Sequence, residues 1–144
     1  RRAQLRLVAT PGPQESIILD DTYNANPQST IAALNLLADL TGRKIAVLGD
    51  MLELGAYEAE GHRMVGLRAI DVADVLVTVG ELGQLIAAEA LQNGMSRDRV
   101  QACGTNAEAV TYLEKIIQPE DVILIKGSRG LHMEDIVTAL DRAE

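Results

Sequence analysis

The fold of this chain turns on residues 17–50, IILDDTYNANPQSTIAALNLLADLTGRKIAVLGD. An apolar run gives way to a cluster of short polar side chains, then to an amphipathic stretch, then to a second apolar run. Asn26 and Pro27 suit a helix start. An Asn side chain can accept from the first free N–H groups, and proline's missing N–H costs nothing at the first helical position. Ile31, Leu34, Leu37 and Leu40 then recur at helical spacing, and Gly42 ends the helix. KIAVLGD, 44–50, is short and apolar throughout, as expected for a strand buried on both faces.

The same alternation continues downstream. It predicts a helix over 57–71, a buried strand DVLVTVG at 74–80, and a helix over 81–92 stopped by Asn93-Gly94. RVQAC, 99–103, reads as a weaker strand, followed by a helix over 106–117 capped by Thr105 or Asn106. DVILIKG, 121–127, is a further buried strand, and MEDIVTALDRA, 133–143, a last helix. Upstream, LRLVAT (5–10) and ESIILDD (15–21) flank PGPQ, which suggests an antiparallel hairpin. Right-handed crossovers of such units build a parallel sheet. The expected fold is therefore a Rossmann-like, doubly wound α/β sheet, mostly parallel, with an N-terminal hairpin and helices on both faces. Residues 1–144 form one domain in this reading, with no repeat or linker.

Composition narrows the class. The chain has 144 residues, 47% hydrophobic and 24% charged, which is a globular balance able to bury a core. Phe and Trp are absent and there are three Tyr, so the core must be aliphatic, with Ala and Met. A net charge of −8 argues against nucleic acid, which needs a basic face. Cys103 is the only cysteine, so no internal disulfide forms, a reducing compartment is favoured, and an inert structural thiol is expected. No apolar run approaches the roughly 18 residues of a membrane span, and RRAQLRLVAT is too polar for a signal peptide. The chain reads as cytoplasmic.

In open α/β sheets ligands bind beyond the carboxyl ends of the strands. Four loops lie there. KGSRGLHME, 126–134, offers Lys126, Ser128 and Arg129 among glycines, ahead of a helix whose first turn has free N–H groups. That pattern suits a phosphate or carboxylate, and equally a turn with two solvated cations. GDMLELG, 49–55, carries Asp50 and Glu53, which could meet a cation or simply face a helix start. GELG, 80–83, reads as a turn. DDTYNANP, 20–27, is a strand-to-helix turn whose Asp20, Asp21, Tyr23 and Asn24 capping does not explain. His62, His132 and Cys103 lack metal-ligand spacing. Neither G-x-x-x-x-G-K-[ST] nor G-x-G-x-x-G occurs, so any triphosphate cradle lies outside these residues.

DDTYNANP, LGDMLELG with GHRMVG downstream, VTVGE and KGSRGLHME, in this order and spacing, resemble the C-terminal domain of the Mur ligases. The similarity runs from RRAQLRL to IVTAL. Within the family the motifs look most like the branch that adds D-Ala-D-Ala to UDP-N-acetylmuramoyl-tripeptide. The resemblance implies the third domain of a cytoplasmic, ATP-dependent ligase of peptidoglycan synthesis, acting through an acyl phosphate. A P-loop and Mg²⁺ ligands would lie in a preceding domain, and this piece alone would be inactive. By the same resemblance, Asp20, Asp21, Tyr23, Asn24 and Asn26 would face the nucleotide. Lys126, Ser128 and Arg129, with the Asp50 loop, would line the cleft for the dipeptide and phosphoryl groups, and Arg129 would take the dipeptide carboxylate. A free-standing α/β nucleotide-binding module is the alternative, or a Mur or folylpolyglutamate-type ligase with another acceptor.

Overall fold

The computed structural model describes residues 7–142. Residues Leu5, Arg6 and Ala143 of the expected end segments lie outside them. A hairpin of β1 (Val8–Pro11) and β2 (Ile17–Asp21) leads into α1 (Pro27–Ala38) and β3 (Lys44–Gly49). Then come α2 (Glu58–Val72), β4 (Val75–Val79), α3 (Gly83–Gln92) and β5 (Val100–Cys103). The chain ends with α4 (Asn106–Ile116), β6 (Val122–Lys126) and α5 (Glu134–Arg142).

The six strands form one sheet in the order β1-β2-β6-β3-β4-β5. β1 and β2 pair antiparallel, and every other pair is parallel. The expected mostly parallel sheet with a leading hairpin is the one observed. β6, the last strand in sequence, slots between β2 and β3. Right-handed crossovers then dictate the layers. The steps β2→β3, β3→β4 and β4→β5 run one way and put α1, α2 and α3 on one face. The return step β5→β6 puts α4 on the other, where α5 joins it.

Strand alternation sorts the core accordingly. Leu19, Ala46, Leu48, Leu76 and Leu124 pack with Leu34, Leu37, Val65 and Ile86 from α1–α3. Their neighbours Ile18, Ile45, Val47, Val77, Ile123 and Ile125 pack with Leu113, Ile136 and Leu140 from α4 and α5. The helices themselves approach closely where side chains are absent. A Cβ on Gly66 of α2 would stand 2.6 Å from the carbonyl oxygen of Ile86 in α3. At the amino edge of the sheet, Arg43 grips Asp121 through two bonds, of 3.0 and 2.9 Å, and donates to the Ile116 carbonyl at 2.6 Å. That fork pins α4 to the starts of β3 and β6, and the bond to Asp121 raises the pKa of the guanidinium.

Two local expectations change. His132 stands before α5 with φ 54, in the left-handed region. A 3₁₀ turn, Arg129–Leu131, precedes it. The N–H groups of Leu131 and His132 are spent on the carbonyls of Ser128 and Arg129, so KGSRG does not open directly onto free helix N–H groups. Gly55–Tyr57 likewise forms a 3₁₀ turn ahead of α2.

Candidate functional site

Because β6 lies between β2 and β3, three loops distant in sequence meet at one carboxyl edge. The register aligns Asp21 with Lys126 and Lys126 with Leu48. Lys126 and Asp21 form an ion pair at 2.9 Å, with side chains 3% and 7% exposed. The remaining reach of the ammonium goes to the carbonyl oxygen of Asn24, also at 2.9 Å. Lys126 therefore holds the first loop onto the sheet, and its charge is not presented to the surface. Lys126 and Asp21, both expected to face a ligand, are here each other's buried partner.

Ser128 performs the second tie. Its N–H donates to the Asp50 carbonyl at 2.9 Å. Its Oγ accepts from Leu52 N–H at 2.8 Å and points its own proton toward the Ala25 carbonyl at 3.4 Å. One buried hydroxyl at the floor of the cleft thus joins all three loops. Asp20 closes the turn after β2, accepting from Thr22 Oγ1 at 2.7 Å and from Thr22 N–H at 3.2 Å. Asn26 caps α1 in a reciprocal box: its Oδ1 accepts from Ser29 N–H at 2.8 Å, and Ser29 Oγ accepts from Asn26 N–H at 3.1 Å. Asp50 Oδ1 accepts from Gly83 N–H at 2.8 Å, supplying a cap to α3 from another loop.

The groups left facing outward are Tyr23, Asn24 and Arg129, with Leu52 and Glu53 from the opposite wall. They line a cleft of about 280 Å³. The Arg129 guanidinium lies 4.7 Å from the centre of the Tyr23 ring, a cation–π contact that holds the cation at the mouth. A second hollow, about 330 Å³, continues on the other side of the Tyr23–Arg129 pair toward Asp20 and Glu134. A fixed cation beside an aromatic face and a carboxamide suits an anionic, planar or amide-bearing ligand. Asp50 faces a separate hollow of about 400 Å³, shared with Glu81, Thr105 and Asn106. Among the described residues no three His, Cys, Asp or Glu side chains gather as a metal would require. Cys103 is buried beneath the sheet edge, and burial, with the Glu108 carboxylate adding, pushes its thiol pKa up.

Of the residues expected at the site, Tyr23, Asn24 and Arg129 meet at the cleft, with Ser128 on its lining. Asp20, Asp21, Asn26, Lys126 and Ser128 build its frame, and Asp50 stands beside it. Leu52 and Glu53 complete the wall. Glu53 adopts φ 64, and no residue pattern announces that a glutamate will take a conformation usually left to Gly or Asn. His62, also unassigned from sequence, lies directly under that wall.

Comparison with known proteins accords with this fold. The family model "Mur ligase, glutamate ligase domain" matches residues 1–129. The UDP-N-acetylmuramoyl-tripeptide–D-alanyl-D-alanine ligase of Bacillus subtilis (strain 168) is 39% identical over 126 residues, covering 85% of this chain and 27% of the relative. The enzyme of the same name from Escherichia coli (strain K12) is 35% identical over 130 residues, covering 88% of this chain and 27% of the relative. A crystal structure of MurF from Acinetobacter baumannii superposes with a TM-score of 0.80 at 33% identity, over 94% of this chain and 30% of that one. The MurF ligase of Thermotoga maritima in complex with ADP has a TM-score of 0.81 at 24% identity, over 99% and 32%, a likeness of fold alone. The chain spans about 27% of the length of these curated relatives. No helix among the described residues is long and apolar enough to cross a membrane.

Proposed function

The chain belongs to the Mur ligase family, and from that premise we propose that it is the C-terminal domain of a longer cytoplasmic ligase. That enzyme adds D-Ala-D-Ala to UDP-N-acetylmuramoyl-tripeptide at the expense of ATP, in peptidoglycan synthesis. The relatives matched over most of this chain carry that activity in their names. The observation that carries the reading to this chain's own residues is the cleft. Three loops are tied into one surface, and the side chains that face the cleft, Arg129, Tyr23 and Asn24, suit the chemical groups of the reactants.

In such a reaction a tripeptide carboxylate oxygen attacks the terminal phosphorus of ATP, giving an acyl phosphate and ADP. The dipeptide amine then attacks the acyl carbon and phosphate leaves. This chain's residues bind and orient. Arg129 offers paired N–H donors to the dipeptide carboxylate, and Tyr23 fixes where that guanidinium stands. Asn24, on the adjacent turn, offers a carboxamide donor and acceptor to the nucleotide. Closure of this surface over the other domains excludes water from an acyl phosphate that water would hydrolyse. ATP and Mg²⁺ would be held chiefly by the preceding domains. The Tyr23 ring and the Asn24 carboxamide fit a nucleotide's outer face, whereas no cluster among the described residues fits Mg²⁺. By itself the chain is then inactive.

The test is steady-state kinetics of the complete ligase. Arg129→Ala should raise the Michaelis constant for D-Ala-D-Ala roughly tenfold to a hundredfold, the worth of one charge-assisted contact. Asn24→Ala should raise that for ATP, and it is a cleaner probe than Asn26, whose side chain caps α1. Unchanged constants for both variants would sink the assignment.

A further inference from the structure

α2 carries a histidine that the reading above does not use. His62 is fully buried, at 0% exposure, beneath the Leu52–Glu53 wall of the cleft. Its Nε2 lies 2.9 Å from the backbone nitrogen of Met51, and its Nδ1 2.6 Å from the carbonyl oxygen of Glu58. A peptide N–H can only donate and a carbonyl can only accept. The two partners therefore fix the tautomer: the proton sits on Nδ1, the lone pair on Nε2, and the ring is neutral.

What that bond holds is the first residue of the wall. Met51 is 1% exposed, and its sulfur accepts from Thr30 Oγ1 of α1 at 3.7 Å. α1 and α2 thus grip it together. One residue on, Leu52 N–H is held by Ser128 Oγ. The chain then turns through Glu53 in the left-handed region, a conformation that persists only when its flanks are fixed. The helix can lie this close because residue 61 is glycine: a Cβ there would stand 2.7 Å from Pro27 Cγ and 3.1 Å from Leu54 Cδ1.

We propose that His62 is a positioning residue. As the neutral Nδ1–H tautomer it accepts from Met51 N–H and sets the Met51–Leu54 wall in the register that presents Leu52 and Glu53 to the cleft. The inference deepens the proposed function and rests on it only for the kinetic part of the test.

The first measurement needs no substitution. Long-range ¹H–¹⁵N correlation of the ¹⁵N-labelled chain should show His62 protonated at Nδ1 and bare at Nε2, with slow hydrogen exchange at the Met51 amide. In His62→Gln the carboxamide oxygen can stand near the place of Nε2, so Met51 protection should survive. In His62→Leu, of similar bulk, the Met51 N–H loses its acceptor and should exchange roughly tenfold faster or more. In the complete ligase, His62→Leu should raise a Michaelis constant for ATP or dipeptide that His62→Gln leaves near the parent value. A proton on Nε2 in the parent chain would overturn the proposal. So would equal Met51 exchange in the Gln and Leu variants, and if the Leu variant does not fold, rapid exchange in the Gln variant has the same force. If the tautomer and the exchange pattern hold while both Michaelis constants stay fixed, His62 still sets the wall, and it is the cleft's assignment as the ligand site that fails.

Discussion

Removing one member of the Asp21–Lys126 pair should be among the most damaging single changes outside the aliphatic core. The charges are 2.9 Å apart, with side chains 3% and 7% exposed. At that distance, with an effective dielectric constant near 20, their attraction is about 6 kcal/mol. Desolvation of two ions consumes much of that, so the intact pair has little net worth. Breaking it is another matter. Asp21→Asn leaves the ammonium of Lys126 buried, with only the Asn24 carbonyl and a neutral amide. Lys126→Met leaves the carboxylate of Asp21 buried and uncompensated. Each should cost about 3–5 kcal/mol. For a chain of this size that lowers the thermal midpoint by roughly 9–15 °C.

The double variant removes both charges and should recover about 2 kcal/mol relative to the sum of the two losses. Urea unfolding of the four proteins, followed by circular dichroism, gives the cycle directly. Added salt should alter the parent's midpoint little, since a buried pair is poorly screened. Losses below about 1 kcal/mol, the range of exposed pairs, would refute the reasoning. So would strict additivity of the two single changes.

Two further outcomes follow from packing and burial. Gly66→Ala places a Cβ 2.6 Å from the Ile86 carbonyl and 3.1 Å from Glu89 Cβ. A backbone oxygen cannot rotate away, so α2 and α3 must separate, at a cost of about 1–3 kcal/mol set against a helix-propensity gain near 1. A urea midpoint at or above the parent's would show that the helices yield freely. Cys103 is held above its ordinary value of 9.0 by burial and by Glu108. A raised pKa means that the folded chain keeps the proton more tightly. Its contribution is intact below the ordinary value and lost as pH climbs through the raised one. Stability of the parent should therefore fall more steeply with pH than that of Cys103→Ala from about pH 9 upward. Parallel slopes would contradict this.

Much of the fold was legible along the chain because strand and helix periodicity are local. The Asn26-Pro27 start of α1, the apolar runs of β3, β4 and β6, and the Thr105 cap of α4 all appear where residue chemistry places them. The 3₁₀ turn after Ser128 was not legible, since glycine-flanked residues before a helix permit several turn geometries. Nor was the burial of Lys126. A lysine at a strand's end in a glycine-rich loop looks like a presented cation until its neighbours are known.

Sequence alone, then, determined the α/β alternation, the aliphatic core and which loops would carry polar groups. It also carried the motifs by which the family is recognised. Tertiary structure alone decided that β6 lies between β2 and β3. That placement brings Lys126 to Asp21 and Ser128 to Leu52, and it sorts the polar residues into frame and face. The physical reason is that a side chain's periodicity reports which way it points, but strand order is set by burial summed over the whole sheet. Asp21 and Lys126 are bound to each other because of that order, and Tyr23, Asn24 and Arg129 face the cleft.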